Sequence, residues 1–260
     1  MQDSPLFLAL LGSAVTALST SLGALPALVA HRVSQKTQDT LMGFSAGVML
    51  AACSFSLIIP ALNLMGATYP DKITSGLMVA LAILFGAAFL HFCNRAVPHE
   101  HFFTGPEGGG EGSHLRRIWL FVFAITLHNF PEGLAVGTGV GSQNLQLAMP
   151  ILVGIGLQDI PEGFVVAMAL ISARYTPLQA LGVAVLTGLV EAAAALVGYA
   201  AMMQAQIFLP WALAFSGGAM LYVVSDEMIP ESHRKEYAQY STAGLMVGFV
   251  LMMFLDTTLS

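Results

Sequence analysis

Residues 117–141 read RIWLFVFAITLHNFPEGLAVGTGVG, and residues 147–173 read LAMPILVGIGLQDIPEGFVVAMALISA. Each run is apolar and long enough to cross the hydrocarbon core of a bilayer as one helix, which takes about 20 residues. Each also places a polar motif near its middle, His-Asn-Phe-Pro-Glu-Gly at 128–133 and Gln-Asp-Ile-Pro-Glu-Gly at 158–163. Six further stretches qualify on either side, at 5–31, 40–65, 73–97, 177–203, 208–229 and 239–257. Composition agrees: 56% of the 260 residues are apolar and 9% charged, where a soluble domain carries about 25% charged residues. Mean hydropathy is +0.76. So few charges cannot cover a water-exposed surface, which argues against a soluble enzyme and a disordered chain. Nine basic residues against 15 acidic suggest no nucleic-acid surface. Cys53 and Cys93 lie in apolar stretches and do not support a disulfide framework. The first span has neither a basic n-region nor a clear small-residue cleavage site, so it reads as a membrane span rather than a cleaved signal. The expected fold is an all-α integral membrane protein with eight transmembrane helices, residues 1–260 forming one transmembrane domain with a flexible loop at about 98–116.

Basic residues set the orientation. Arg32, Lys36, Arg95, Arg116, Arg117, Arg174, Arg234 and Lys235 all fall on one side of an eight-crossing chain, and only Lys72 falls on the other. Those loops belong in the cytoplasm and both termini outside, which in a bacterium is the periplasm.

Span 2 contains Phe44, Ser45, Gly47, Met49, Leu50, Ser54 and Ile58, and span 7 contains Phe215, Ser216, Gly218, Met220, Leu221, Ser225 and Ile229. Each pair is 171 positions apart. Spans 2 and 7 cross in opposite senses, so the two copies form an inverted repeat, with spans 1–3 and 6–8 as related units around spans 4 and 5. Inverted repeats are typical of transporters, with the substrate site near the midplane between them. The alternative is a shared small-residue packing face.

The two central motifs and Glu191 of span 6 place Glu132, Asp159, Glu162 and Glu191 near the middle of the membrane. One acid there costs roughly 2.5–3.5 kcal/mol, and four on the order of 10–14 kcal/mol if additive. No Lys or Arg lies in the interior of any span. The counter-charge must therefore come from outside the chain, as protons or metal cations. His128 and Glu132 are four apart and share a helix face, as do Gln158 and Glu162. These four can converge on one cation. Asn129 and Asp159 sit one residue further round, and with Glu191 they can build a second site that Glu132 and Glu162 bridge. Pro131 and Pro161 cannot donate to the carbonyls of Leu127 and Leu157, so both helices are expected to kink and expose backbone oxygens. The nitrogen and oxygen donors suit zinc, are compatible with cadmium, iron or manganese, and disfavour copper(I).

At these residues the sequence resembles the ZIP (Zrt/Irt-like protein) family of divalent-metal transporters. HNFPEG at 128–133 and QDIPEG at 158–163 resemble that family's signature on its fourth and fifth helices, and the resemblance extends over essentially the whole chain. It implies a transported-metal site built from His128, Asn129, Glu132, Gln158, Asp159, Glu162 and Glu191. It also implies a homodimer, a bacterial inner-membrane location and metal influx. Many members carry His where Gln158 and Glu191 stand here. The loop after span 3 holds His99, Glu100, His101 and His114 beside Gly108, Gly109 and Gly110, a linker composition whose histidines can catch exiting metal or be solvated decoration. Asp226 and Glu227 near the inner end of span 7 can line the exit, and Asp256 near the outer end of span 8 the entrance. As helix-end acids they can equally stand in water without a function.

An enzyme is not expected. The H-E-x-x-H of intramembrane zinc proteases is absent, the Glu-x-x-His of di-iron bundles is replaced by His-x-x-x-Glu, and no Ser or Cys nucleophile stands beside a base. No G-x-x-x-x-G-K-[ST] loop is present, so transport is expected to follow an ion gradient. The rival to metal transport is a proton-coupled transporter of another solute, with the buried acids as its relay.

Overall fold

The computed structural model describes residues 5–29, 33–96, 111–233 and 236–260. Among these residues there are helices and connections but no strand. Seven helices are long and apolar enough to cross a membrane: Leu6–Leu28 (α1), Gln35–Thr68 (α2), Lys72–Arg95 (α3), Leu145–Ser172 (α5), Pro177–Gln204 (α6), Gln206–Ser232 (α7) and Ala238–Leu259 (α8). An eighth, Glu111–Gly141 (α4), carries the His-Asn-Phe-Pro-Glu-Gly motif. His99 and His101 fall outside the described residues. His114 lies in the first turns of α4. Large apolar side chains such as Phe85, Leu178 and Val247 are well exposed, as expected of a surface whose solvent is lipid rather than water.

Short connections fix the antiparallel order around the centre. After Gln143, in the left-handed region with φ 58°, Asn144 caps α5 by accepting from the Gln146 amide. After Arg174, with φ 66°, Thr176 and Gln179 form a reciprocal capping box with Pro177 in the first turn of α6, a strong helix start. At the same end of the bundle as Asn144, Asp71 accepts from the Thr74 hydroxyl and amide and so caps α3, and these bonds hold its carboxyl below the usual carboxylate range. α2 begins earlier than hydropathy alone suggests, because Ser34 accepts from the Thr37 amide and starts the helix in the polar segment Gln35–Thr40.

The helices pack as two groups. α1, α4, α5 and α6 form one, through the pairs α1·α5, α1·α6 and α4·α6. α2, α3, α7 and α8 form the other, through α2·α8 and α3·α7. Exchanging α1 with α6, α2 with α7, α3 with α8 and α4 with α5 maps each of these pairs onto another of them or onto itself. The inverted repeat read from span 2 and span 7 is therefore expressed in packing. Two glycines give its register. A Cβ on Gly86 of α3 would lie 2.0 Å from the Phe215 carbonyl oxygen of α7, and one on Gly248 of α8 would lie 2.2 Å from that of Phe44 on α2. Phe44 and Phe215 are 171 positions apart, and Gly86 and Gly248 162. Both copies also hold a π-helical segment, Ala52–Ile58 in α2 and Val224–Met228 in α7. Such segments leave the regular ladder and concentrate at functional sites. Ser54 donates to the Leu50 carbonyl at 2.9 Å where the first one begins.

Candidate metal centre

Pro131 and Pro161 lie inside uninterrupted helices. Each is followed by Glu and then Gly, and the glycine does the positioning. A Cβ on Gly133 would stand 2.1 Å from the Glu191 carbonyl oxygen, and one on Gly163 would stand 2.0 Å from that of Thr20. Only glycine permits these backbones to touch. The first contact draws α4 against α6 at Glu191, and the second draws α5 against α1. Ser45 of α2 adds a bond to the Gln158 carbonyl at 3.3 Å.

All seven expected ligands are buried, from 0% exposure at Gln158 and Glu191 to 7% at Glu162. Glu132, Asp159 and Glu191, one from each of α4, α5 and α6, each offer a carboxylate oxygen, and the three lie within 4.8 Å of one another. The Gln158 amide donates to Glu132 Oε1, which joins the first motif face to the second. Asn129 donates from Nδ2 to the Thr187 carbonyl at 3.2 Å and keeps its oxygen free. Seven oxygens in this region are buried without a hydrogen-bond partner: Asn129 Oδ1, Glu132 Oε2, Gln158 Oε1, Asp159 Oδ2, Glu162 Oε1 and both oxygens of Glu191.

His128 behaves differently from the rest. Its Nε2 lies 3.1 Å from Glu227 Oε2 on α7, without hydrogen-bond alignment, and it is also within electrostatic reach of Glu162 and Asp226. Asn94 of α3 donates to the other oxygen of Glu227 at 2.7 Å. Tyr222 donates to Asp226 Oδ2 at 3.0 Å and contacts His91 Nδ1 at 3.1 Å. Asp256 accepts from Ser56 Oγ at 2.5 Å. The residues read as path candidates thus meet specific polar partners. Asn94 and Ser56 escape sequence reasoning, although an Asn three residues after His91 in an otherwise apolar span is a signal. Cys53 is free and fully buried in the π-helical segment of α2, within electrostatic reach of Glu132.

Three buried carboxylates from adjacent helices meet here, and no Lys or Arg pairs with them among the described residues, an arrangement that suits a membrane protein handling protons or metal cations. Comparison with known sequences gives the class its family. The profile described as ZIP Zinc transporter matches residues 98–256. Zinc transporter GufA of Myxococcus xanthus is 46% identical over 250 residues, covering 96% of this chain and 98% of that protein. Zinc transporter ZIPB of Bordetella bronchiseptica is 42% identical over 251 residues, covering 96% of this chain and 81% of that protein. Human zinc transporter ZIP11 is 31% identical over 336 aligned positions, covering 98% of each. The chain belongs to the ZIP zinc transporter family.

Proposed function

We propose that the protein is an influx carrier for divalent transition-metal cations, zinc foremost, with a binuclear site at the bilayer midplane. The observation that carries the reading is the set of seven partnerless oxygens on α4, α5 and α6. Each buried polar atom left unpaired costs about 1–3 kcal/mol, and a divalent cation satisfies several at once. His128, Glu132, Gln158 and Glu162 form one site by helical phase. Asn129, Asp159 and Glu191 form the other, with Glu132 and Glu162 bridging. Cadmium, iron(II) and manganese(II) suit the same oxygen-rich donors. The metal is cargo, and no residue has a catalytic role, so the protein is not an enzyme. Residues 1–260 act as one transporter domain, assembled as a homodimer in the inner membrane with both termini periplasmic. The names of the three relatives support zinc as the cargo.

Zinc uptake into proteoliposomes, with competing organic solutes as controls, tests the reading. Zinc accumulation unaffected by those solutes is the expected result. Proton-coupled uptake of an organic solute with no zinc flux would turn the acids into a relay instead. Growth rescue tests direction: the gene should restore a zinc-uptake mutant, and rescue of a zinc-export mutant instead would reverse it.

A further inference from the structure

On the side of the bundle that holds both termini, the end of α2 and the start of α7 do not close on one another. Between them lies a cleft of about 160 Å³, with Met65 and Leu209 on its floor and Tyr69, Gln206 and Trp211 in its walls. Met65 and Leu209 are buried, while Tyr69 is exposed. α2 ends at Thr68, α3 begins at Lys72 and α7 begins at Gln206, so the cleft stands where the hydrocarbon core gives way to headgroups. Tyr and Trp concentrate at that depth because each joins an apolar body to a polar tip. An apolar cavity of about 150 Å³ takes a six-carbon ring, so this cleft has room for a segment of an acyl chain.

Polar groups surround the cleft in a definite pattern. Gln206 donates its amide to the Gly141 carbonyl at 2.9 Å. The Trp211 indole N–H and the Tyr69 hydroxyl make no hydrogen bond among the described residues, so two donors are open to an oxygen-bearing ligand. Two and three residues beyond Tyr69 stand Asp71 and Lys72, both exposed. Lys72 is the one basic residue on this side of the membrane. Asp71 takes both Thr74 bonds on Oδ2, and they keep its carboxyl ionised. Neither charge has an ion-pair partner among the described residues. The rim therefore carries one positive and one negative charge on adjacent residues. An acyl chain in a bilayer has apolar neighbours wherever it lies, so apolar contact alone selects no lipid. Selection has to come from the headgroup.

We propose that the cleft binds a zwitterionic phospholipid with a primary ammonium headgroup, of the phosphatidylethanolamine type, from the leaflet on that side. A segment of one acyl chain fills the cleft between α2 and α7. Trp211 and Tyr69 donate to the lipid's ester and phosphate oxygens. Lys72 pairs with the phosphate and Asp71 with the ammonium, whose N–H groups make the pair a charge-assisted hydrogen bond. An anionic headgroup satisfies Lys72 but sets its uncompensated charge beside Asp71. A choline headgroup has no N–H to offer Asp71. Only the primary ammonium zwitterion meets both charges. The site is separate from the metal centre, and the proposal does not depend on the cargo or its direction.

Tryptophan quenching tests it. The chain has two tryptophans, and Trp119→Phe leaves Trp211 as the only emitter. The full-length variant is placed in nanodiscs of phosphatidylcholine, and lipids with brominated acyl chains are titrated in, with ethanolamine, glycerol or choline headgroups on identical chains. Half-maximal quenching should need about fivefold less of the ethanolamine lipid than of either other lipid. Asp71→Asn keeps the helix cap and removes the charge, and it should bring the three lipids within about twofold of one another. Thr68→Phe fills the cleft and keeps both charges, and it should abolish the preference as well. Thermal melts in plain phosphatidylcholine nanodiscs establish that the variants are folded; if Thr68→Phe is not, Asp71→Asn decides. Equal quenching by all three lipids in the Trp119→Phe protein would identify ordinary boundary lipid and overturn the proposal. So would preference for the glycerol headgroup, an absence of quenching, or a preference that survives Asp71→Asn.

Discussion

Glu191 has no exposed surface and neither of its oxygens has a hydrogen-bond partner. A side chain in that position destabilises the metal-free protein, so its retention has to be explained by what it binds. Glu191→Gln removes the charge and keeps the shape. We expect the variant to melt no lower than the wild type without metal, and to lose most of the upward shift in Tm that zinc gives the wild type, since a ligand stabilises only in proportion to its affinity. Thermal melts with and without zinc check both halves, and an undiminished zinc shift would remove Glu191 from the site. Helical phase separates the others. His128→Ala should weaken one bound ion and Asp159→Ala the other, whereas Glu132→Ala should reduce both. Metal stoichiometry of purified variants decides, and two ions at full occupancy in Glu132→Ala would exclude a bridge. These seven residues were legible because the bilayer makes any polar side chain conspicuous against an apolar run. Their partners were not. Whether His128 turns to Glu132 on its own helix or to Glu227 of α7 depends on how α4 packs on α7, and no local spacing encodes that.

At the scale of the element, the motif prolines and glycines exchange importance between sequence and structure. Pro131 and Pro161, the expected kink positions, lie inside α4 and α5, which continue as helices on both sides of them. The close approach comes from the glycines two positions later. Gly133→Ala places a methyl 2.1 Å from the Glu191 carbonyl, so α4 and α6 must separate. We expect a stability loss of about 1–3 kcal/mol, the usual cost of overpacking, together with weaker zinc binding because Glu132 and Glu191 are drawn apart. A Cβ on Gly182, near the start of α6, would meet nothing within 4 Å. Gly182→Ala should therefore be neutral or stabilising by up to about 1 kcal/mol. Thermal melts and zinc titrations of the two variants side by side make the comparison, and equal effects would show that backbone entropy rather than contact is being measured. The π-helical segments in α2 and α7 were invisible to periodicity, because a single inserted residue shifts the phase of an apolar helix without changing its apolar character. The seven identities between spans 2 and 7 nonetheless supplied the register that relates the two segments.

For the molecule as a whole, eight spans and the inverted repeat followed from hydropathy and from one internal comparison, because crossing a bilayer allows a chain few alternatives. Charge balance across the membrane is the remaining whole-molecule property, and it leads to a proton requirement. Glu132, Asp159, Glu162 and Glu191 lie buried with no Lys or Arg inside any span to balance them. In the metal-free protein the compensating positive charge must be protons, and zinc takes the same oxygens. Binding therefore releases protons, and His128 must also be neutral to donate a nitrogen. The sign follows by linkage: a reaction that releases protons is opposed by acid, so the apparent Kd for zinc should rise as pH falls. Under the proposed influx, the same competition would help strip the metal on the cytoplasmic side, where protons take the place of the ion. Proton release can be read in weakly buffered detergent solution as zinc is added, with Kd measured in parallel. Between about pH 6 and 8, affinity should fall on acidification while protons appear on binding. Unchanged affinity over that range with no proton release would mean that the carboxylates stand ionised without metal, and that the membrane tolerates their charge by some other means.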